Sequence, residues 1–310
     1  MTDAPLIRYE PDLLRLRAQN PSPMTGPGTN SWILGDDRLC VIDPGPDDPA
    51  HLGALLEVIA GRPVSAILVT HAHLDHSALA PKLAQAIGAP VCGFGPADSG
   101  RSPLMQALAR DGVGGGEGLD HGFRIDRRLE DGATVAFGRD ELVAWHMPGH
   151  MAGHLCFGWR DTAFSGDLVM GWASTLISPP DGDVAAFRAS CARLRDLRPS
   201  RLLPGHGDTI EDPAARIDWL LDHRAARERQ ILAALEQGAQ TTEGLAATIY
   251  TDTPSALLPA ARRNILAHLI DLMERKLVKA DGAPLPEARF ELTSGEVEFF
   301  SERHWTPPNG

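Results

Sequence analysis

The hydrophobic pattern divides the chain into two stretches of different period. Asn30 to Leu34 and Leu39 to Ile42 are short apolar runs separated by Gly35-Asp36-Asp37, which predicts a hairpin, and Asp43-Pro44-Gly45 ends its second strand. From His51 to Ala60, Leu52, Leu55, Leu56, Val58 and Ile59 recur at helical spacing, with Pro49 ahead and Gly61 behind as start and stop signals. Val64 to Val69 is a β-branched apolar run that reads as a buried strand. A helix over Ala78 to Ile87 and a short strand over Pro90 to Phe94 follow, and then a Gly-rich loop around Gly112 to Gly118, expected to move. Further strands are predicted at Ala133 to Phe137, Leu142 to His146, Leu155 to Trp159, Thr162 to Ser165 and Arg201 to Leu203, with a helix from Val184 to Leu197 before the last. Two groups of strands, each flanked by helices, suggest two packed sheets with helices outside.

Beyond about Ile217 helical periodicity takes over, at Trp219 to Gln237, Thr242 to Tyr250 and Ala256 to Lys276. Two strand-like pieces, Leu277 to Ala280 and Arg289 to Leu292, flank Asp281-Gly282-Ala283-Pro284. Helices followed by a small β wing mark a second domain, so the division expected is 1–215 and 216–305, with Thr306 to Gly310 a frayed tail. Internal repeats and low-complexity segments are absent.

The formal charge of -12 disfavours a broad grip on nucleic-acid backbones, which clustered Lys and Arg would carry, and gives weight to a small-molecule substrate. Cys40, Cys92, Cys156 and Cys191 are far apart with no CxxC pair, so they read as small core residues in a reducing compartment. The first residues carry Asp3, Arg8, Glu10 and Asp12 without an apolar segment, and no later run reaches the roughly 18 apolar residues of a membrane span. A cytoplasmic protein with no membrane partner is the expectation.

The chemistry concentrates at strand ends. His71, His73, Asp75 and His76 fall within six residues just beyond the Val64 to Val69 strand, and an extended backbone sends His71 and His73 to one side. His146, His150 and His154 are spaced by four, but Pro148 and Gly149 between them argue against a helix. His150 is taken as the ligand, His146 as the end of its strand, and His154 as a hydrogen-bonding support at the start of the next. Asp167, after Ser165-Gly166, can bridge two cations with its two oxygens, and His206 ends a fourth strand in Pro204-Gly205-His206-Gly207. The seven candidate ligands divide into His71, His73 and His150 around one ion and Asp75, His76 and His206 around another, with Asp167 between. Imidazole and carboxylate without thiolate suit two divalent ions, zinc first, with iron or manganese also compatible. Such ions, roughly 3.5 to 4 Å apart, hold a water and lower its pKa toward about 7, so a metal-bridging hydroxide is the expected nucleophile, oriented by Asp75.

This ordered set, His71-x-His73-x-Asp75-His76 followed by His150, Asp167 and His206, resembles the metallo-β-lactamase superfamily over residues 20 to 215. The resemblance implies an α+β fold, a four-layer αββα sandwich with a dinuclear site at the sheet edges, and hydrolysis as the reaction. Asp43, in Ile42-Asp43-Pro44-Gly45, matches the aspartate that supports the ligand loop from behind. His76 directly after the metal aspartate is similar to the glyoxalase-like, lactonase-like and nuclease-like branches rather than to antibiotic-cleaving zinc enzymes. The likeness is greater to the β-lactamase-like protein two group. Gly28-Thr29-Asn30 with Gly35, the Gly166 to Thr175 loop, and His223-Arg224, Arg227-Glu228 and Gln230-Ile231-Leu232 match its motifs, and its C-terminal part is a mainly helical, winged-helix-like domain.

The reading that follows is a hydrolase of a small ester, thioester or lactone, with Trp172, Ser174 and Thr175 on one wall of the pocket. The alternatives are a single-stranded RNA endonuclease, since one animal member of that group is such an enzyme; a mononuclear iron oxygenase using His71, His73, His150 and Asp167; and a regulator binding DNA through its winged helix. The Ala256 to Lys276 helix mixes Arg262, Arg263, Arg275 and Lys276 with Asp271 and Glu274, so packing against the first domain, or against a second copy in a homodimer, is expected of it before nucleic acid.

Overall fold

The computed structural model describes residues 5–114 and 118–293. Its first sheet has seven strands in the order β1 (Leu6–Glu10), β2 (Leu13–Arg17), β3 (Asn30–Leu34), β4 (Leu39–Ile42), β5 (Val64–Leu68), β6 (Val91–Gly93) and β7 (Arg127–Arg128). The first four run antiparallel to their neighbours, and β4 through β7 are parallel. Helices α1 (Pro49–Ile59), α2 (Leu74–Ser77), α3 (Ala80–Ile87) and α4 (Pro103–Arg110) lie between these strands in the chain. The second sheet, read from its far edge, is β12 (Arg201–Pro204), β11 (Thr162–Gly166), β10 (Leu155–Trp159), β9 (Asp140–His146) and β8 (Thr134–Phe137), with α5 (Val184–Asp196) connecting β11 to its parallel partner β12.

Three hydrophobic layers hold this together. Trp32, Leu34, Ile42 and Leu68 of the first sheet meet Phe137, Leu142, Phe157 and Phe164 of the second, all fully buried. The opposite face of the first sheet, Ile33, Val41 and Ile67, takes Leu55 and Ile59 of α1 and Leu83 of α3. The outer face of the second sheet, Cys156, Ala163 and Leu202, takes Phe187, Cys191 and Leu194 of α5 and Ile217 and Leu220 of α6 (Pro213–Leu235). The result is the expected αββα sandwich, and all four cysteines are buried and unpaired.

Strands β1 and β2 are not among the elements expected from the sequence, because Arg15 and Arg17 interrupt the leucines. Both arginines are nevertheless buried, and each approaches Asp208 at 3.5 Å, so a paired charge sits where the pattern argument expects solvent. The short helix α4 is a further addition; Ser102 caps it by accepting from the Met105 N–H, and Met105 and Leu108 face the C-terminal unit. The helix expected over Ala78 to Ile87 is α3, which starts at Ala80 with Pro81 in its first turn, and the separate short helix α2, entered at His73, precedes it. The start of α6 lies upstream of the expected Trp219, since Asp212 caps it and Pro213 opens it. The Gly112 to Gly118 loop lies partly, and the Thr306 to Gly310 tail wholly, outside the described residues.

Helix α6 carries the chain into a C-terminal unit of α7 (Thr242–Ile249), α8 (Leu258–Glu274, preceded by a 3-10 turn at Ser255–Leu257) and the antiparallel wing β13 (Val278–Ala280) and β14 (Phe290–Leu292). Residues Ile265 through Leu272 of α8 are all buried. Leu266, Leu269 and Ile270 enter the local core with Ile231, Leu245 and Phe290, while Ala267 joins the layer outside the second sheet. Asp271 of α8 receives Arg188 of α5 at 2.6 Å, and Arg275 reaches Glu228 at 2.7 Å. The packing against the first unit that is expected of this helix is thus present. Among the described residues, no helix is long and apolar enough to cross a membrane.

Candidate metal centre

The C-terminal ends of β5, β11 and β12 and the β9 to β10 connection converge on one point. From β5, Val69 and Thr70 lead to His71 and to His73, which holds the extended N-cap position of α2, so that Asp75 and His76 turn back from its first turn. His150 comes from the β9 to β10 connection, Asp167 follows β11 and His206 follows β12. His71 Nε2 lies 3.0 Å from His73 Nδ1, which lies 3.1 Å from His150 Nε2. His76 Nε2 lies 3.2 Å from His206 Nε2, and Asp75 Oδ2 stands 3.4 and 3.2 Å from these two nitrogens. Asp167 faces both groups: its Oδ2 is 3.8 Å from His150 Nε2 and 3.4 Å from His206 Nε2, and its Oδ1 is 3.5 Å from His76 Nε2.

Among the described residues the donors form three overlapping sets close enough to hold a cation: His71, His73 and His150; His71, His76 and Asp167; and Asp75, His76 and His206. Tetrahedral coordination at about 2.0–2.1 Å places neighbouring nitrogens roughly 3.3 Å apart, which is the spacing of these rings. The ring nitrogens that face outward mostly have acceptors that fix the tautomer. His76 Nδ1 donates to Asp43 Oδ2 at 2.8 Å, His150 Nδ1 to the Leu176 carbonyl at 2.7 Å and His206 Nδ1 to the Gly28 carbonyl at 3.3 Å. His71 Nδ1 donates to Thr70 Oγ1 at 3.0 Å, and that hydroxyl donates on to Asp43 Oδ2. When neutral, each of these four rings therefore turns an Nε2 lone pair inward, as a ligand must.

Electrostatics divides the two groups when no cation is considered. Burial, and then the neighbouring imidazoles, hold His71 well below its ordinary pKa and His73 at about 3. For His76 burial works the same way but is outweighed by Asp75, Asp167 and Asp43, which hold it well above the ordinary value. His206 likewise overcomes burial, through Asp167 and Asp75, and rises to about 9. At pH 7 the metal-free protein therefore carries protons on His76 and His206 that a cation must displace. Metal uptake at pH 7 is expected to release protons, and affinity to rise as the pH approaches about 9, where His206 loses its proton; calorimetric titration in buffers of different ionisation enthalpy measures the protons released.

Behind the ligands stand residues that hold the loops. Asp43, in the left-handed region at φ 51°, accepts the Thr70 N–H on Oδ1 at 2.8 Å as well as the two donors on Oδ2. His154 is buried beside His71, but its Nε2 accepts the Asp167 N–H at 3.2 Å and so steadies that loop. His146 ends β9, with Nε2 donating to the Ala152 carbonyl and its ring stacked on Phe94. Gly205 must be glycine: a Cβ there would stand 2.6 Å from both Asp167 Oδ1 and His76 Cε1. Thr29 and Asn30, which the sequence marks only as motif residues, also support the site. Thr29 Oγ1 donates to Asp75 Oδ2 at 3.4 Å, and Asn30 Nδ2 donates to the Pro204 and Gly207 carbonyls that flank His206.

A cleft of about 250 Å³ opens onto the cluster, walled by Met24, Met170, Trp172, Ala173, Ser174 and Leu176. Thr175 is a correction to the expected pocket wall. It is fully buried, and its hydroxyl is turned inward to the Asp167 and Leu168 carbonyls at 3.0 and 2.9 Å. Its own carbonyl accepts from the buried Arg224 of α6, so alternation along the loop sends Ser174 to the cleft and Thr175 to the support behind it. Trp172 is 45% exposed and lies across Gly26 and Gly207. Trp172→Ala is expected to raise KM about tenfold, roughly 1.4 kcal/mol of apolar contact, with metal content unchanged, as steady-state kinetics and elemental analysis would show.

Comparison with known proteins agrees with this architecture. Residues 24–206 match the metallo-beta-lactamase superfamily and residues 241–286 the beta-lactamase associated winged helix domain. A Drosophila melanogaster beta-lactamase-like protein 2 homolog is 31% identical over 86% of this chain and 89% of its own length. An atrochrysone carboxyl ACP thioesterase from Aspergillus chevalieri is 25% identical over 94% of this chain and 88% of its own. A metallo-beta-lactamase family protein from Thermus thermophilus shares the fold, with a TM-score of 0.73 at 24% identity over 92% of this chain and all of that one. With its sandwich, its cluster of imidazoles and carboxylates and its C-terminal helices and wing, the chain belongs to the metallo-β-lactamase superfamily and carries the associated winged helix domain.

Proposed function

We propose that this hydrolase of the metallo-β-lactamase fold cleaves a small ester, thioester or lactone at two divalent ions held by His71, His73 and His150 and by Asp75, His76 and His206, with Asp167 facing both. The observation that carries the substrate class is the cleft. Its wall is apolar through Met24, Met170, Trp172 and Leu176, and among its described lining residues there is neither a lysine nor an arginine. An acyl chain gains from such a wall at about 25 cal/mol per Å² removed from water, whereas a phosphate backbone needs cations. The relative named as an acyl carrier protein thioesterase supports a thioester within this class. Zinc is the ion proposed.

The ions would supply a water of lowered pKa and a Lewis acid for the substrate's carbonyl oxygen. The chain's own residues supply position. The Asp75 side chain is 26% exposed, against 1% for His206 and 10% for Asp167, so its carboxylate is the best placed of the three to reach a water on the cleft side and orient it. Trp172 and Met24, both more than two-fifths exposed, form the rim over which an apolar acyl group would lie. Ser174 offers the cleft a hydroxyl.

The zinc-loaded protein should hydrolyse thioesters or esters in a panel that also holds lactones, phosphodiesters and single-stranded RNA. Cleavage of RNA alone, with association that weakens steeply as salt rises, would replace this reading with the nuclease one. Two ions per chain by elemental analysis, and activity retained without oxygen, would set aside a mononuclear oxygenase.

A further inference from the structure

The mouth of the cleft continues into a smaller pocket on the side of His73 and His150, closed by Ser178, Asp181 and Arg263. Nothing in the proposed hydrolysis uses these three. Ser178 and Asp181 are 7% and 4% exposed, yet Ser178 Oγ and Asp181 Oδ2 make no hydrogen bond within the protein. Buried polar atoms are ordinarily paired, so two of them facing one pocket mark a place built to receive a polar group. Asp181 is not a stray charge. Arg101 donates to its Oδ1 through Nε at 2.9 Å and Nη2 at 2.5 Å, which leaves Oδ2 to the pocket. Met24 and Leu176 line the same space and continue into the main cleft, so the polar pair is reached along an apolar path.

We infer that Ser178 and Asp181 form a subsite for a secondary amide on the leaving-group side of the substrate, with Arg263 of α8 as its outer wall. Asp181 Oδ2 accepts only, so the bound group must bring an N–H or O–H; Ser178 can donate to an acceptor beside it. An ionised carboxylate or phosphate brings no donor for Asp181 Oδ2 and would leave that atom unpaired. An amide flanked by methylenes meets both demands, polar at the pair and apolar along Met24 and Leu176. The inference rests on the proposed thioester reading, since an amide-bearing thiol arm is the leaving group that would reach from the metal cluster into this pocket. It also gives the C-terminal unit a part in the substrate site, through Arg263.

Two acyl thioesters of equal length test it, one on N-acetylcysteamine and one on 2-acetoxyethanethiol, in which an ester oxygen replaces the amide N–H. The zinc-loaded protein should prefer the amide by about tenfold or more in kcat/KM, through KM. Asp181→Asn, which turns an NH2 to the pocket in place of the acceptor, should bring the ratio close to one with metal content unchanged. Ser178→Ala removes the donor to the carbonyl that both thioesters carry, and should raise KM for both. Equal rates for the two thioesters in the unaltered protein would overturn the subsite. Because an asparagine oxygen can keep the Arg101 bonds, Asp181→Asn decides between amide and ester, and a preference that survives it overturns the subsite. A second readout needs no turnover: saturation-transfer NMR of N-ethylacetamide with the metal-free protein should show contact that Ser178→Ala removes, and no contact in the unaltered protein counts against the subsite. If neither thioester is cleaved but the amide contact is present and lost in Ser178→Ala, the thioester reading fails and the subsite stands.

Discussion

Asp167→Ala should abolish hydrolysis, lowering kcat/KM by at least about a thousandfold, or ~4 kcal/mol of transition-state stabilisation, and should lower the metal content of the purified protein. The expectation follows from where the carboxylate stands. Its Oδ2 approaches both clusters, 3.8 Å from His150 on one side and 3.4 Å from His206 on the other, and its Oδ1 stands 3.5 Å from His76. Removing it also removes a main source of the raised pKa of His206, so the metal-free variant should lose a proton from that ring nearer neutral pH. His154→Ala is the control. It takes away the acceptor of the Asp167 N–H and leaves the inward-facing nitrogens in place, so activity should fall by no more than about 10- to 100-fold. Equal metal loss from His154→Ala and His150→Ala, by elemental analysis, would mean that the wrong histidine of the pair has been assigned.

The strands and long helices are legible in the sequence because burial on one or both faces leaves a period there, as at Val64 to Val69 or along α5. The candidate ligands are legible because imidazole and carboxylate are uncommon together at strand ends, and the fold brings the strand ends of the first and second sheets to one place. What cannot be read is whatever depends on partners distant in the chain. Arg15 looks exposed until Asp208 is known to sit beside it. Thr29 and Asn30 carry no sign of reaching the Asp75 carboxylate and the His206 loop, more than forty and nearly two hundred residues away. Thr175 and Ser174 are chemically similar neighbours, and only the backbone direction of the loop, pinned by Arg224, decides which one meets the cleft. The subsite at Ser178 and Asp181 is of the same kind, since its character depends on Arg101 arriving from another connection to occupy one carboxylate oxygen.

Asp43→Asn is the sharper probe of how the ligand loop is held, because asparagine keeps the shape and tolerates the left-handed backbone at φ 51°. Three donors converge on this carboxylate: the Thr70 N–H on Oδ1, and the Thr70 hydroxyl and His76 Nδ1 on Oδ2. An amide has one oxygen. If that oxygen takes the place of Oδ2, its NH2 faces the Thr70 N–H, and a buried backbone donor is left unsatisfied at a cost of about 1–3 kcal/mol. If it takes the place of Oδ1, the NH2 faces His76 Nδ1, which must then accept, so the ring proton moves to Nε2 and points at the ion that ring should bind. Either way the site suffers: metal affinity should fall by about 10- to 100-fold, with a matching loss of activity at limiting metal that excess zinc partly restores. Thermal denaturation with and without zinc separates the two cases. A variant that is destabilised even without metal has lost the Thr70 bond, whereas one that unfolds normally without metal but gains less from zinc than the unaltered protein has the wrong His76 tautomer. Unchanged affinity and unchanged stability together would show that Asp43 does not hold the loop in the way its three hydrogen bonds require.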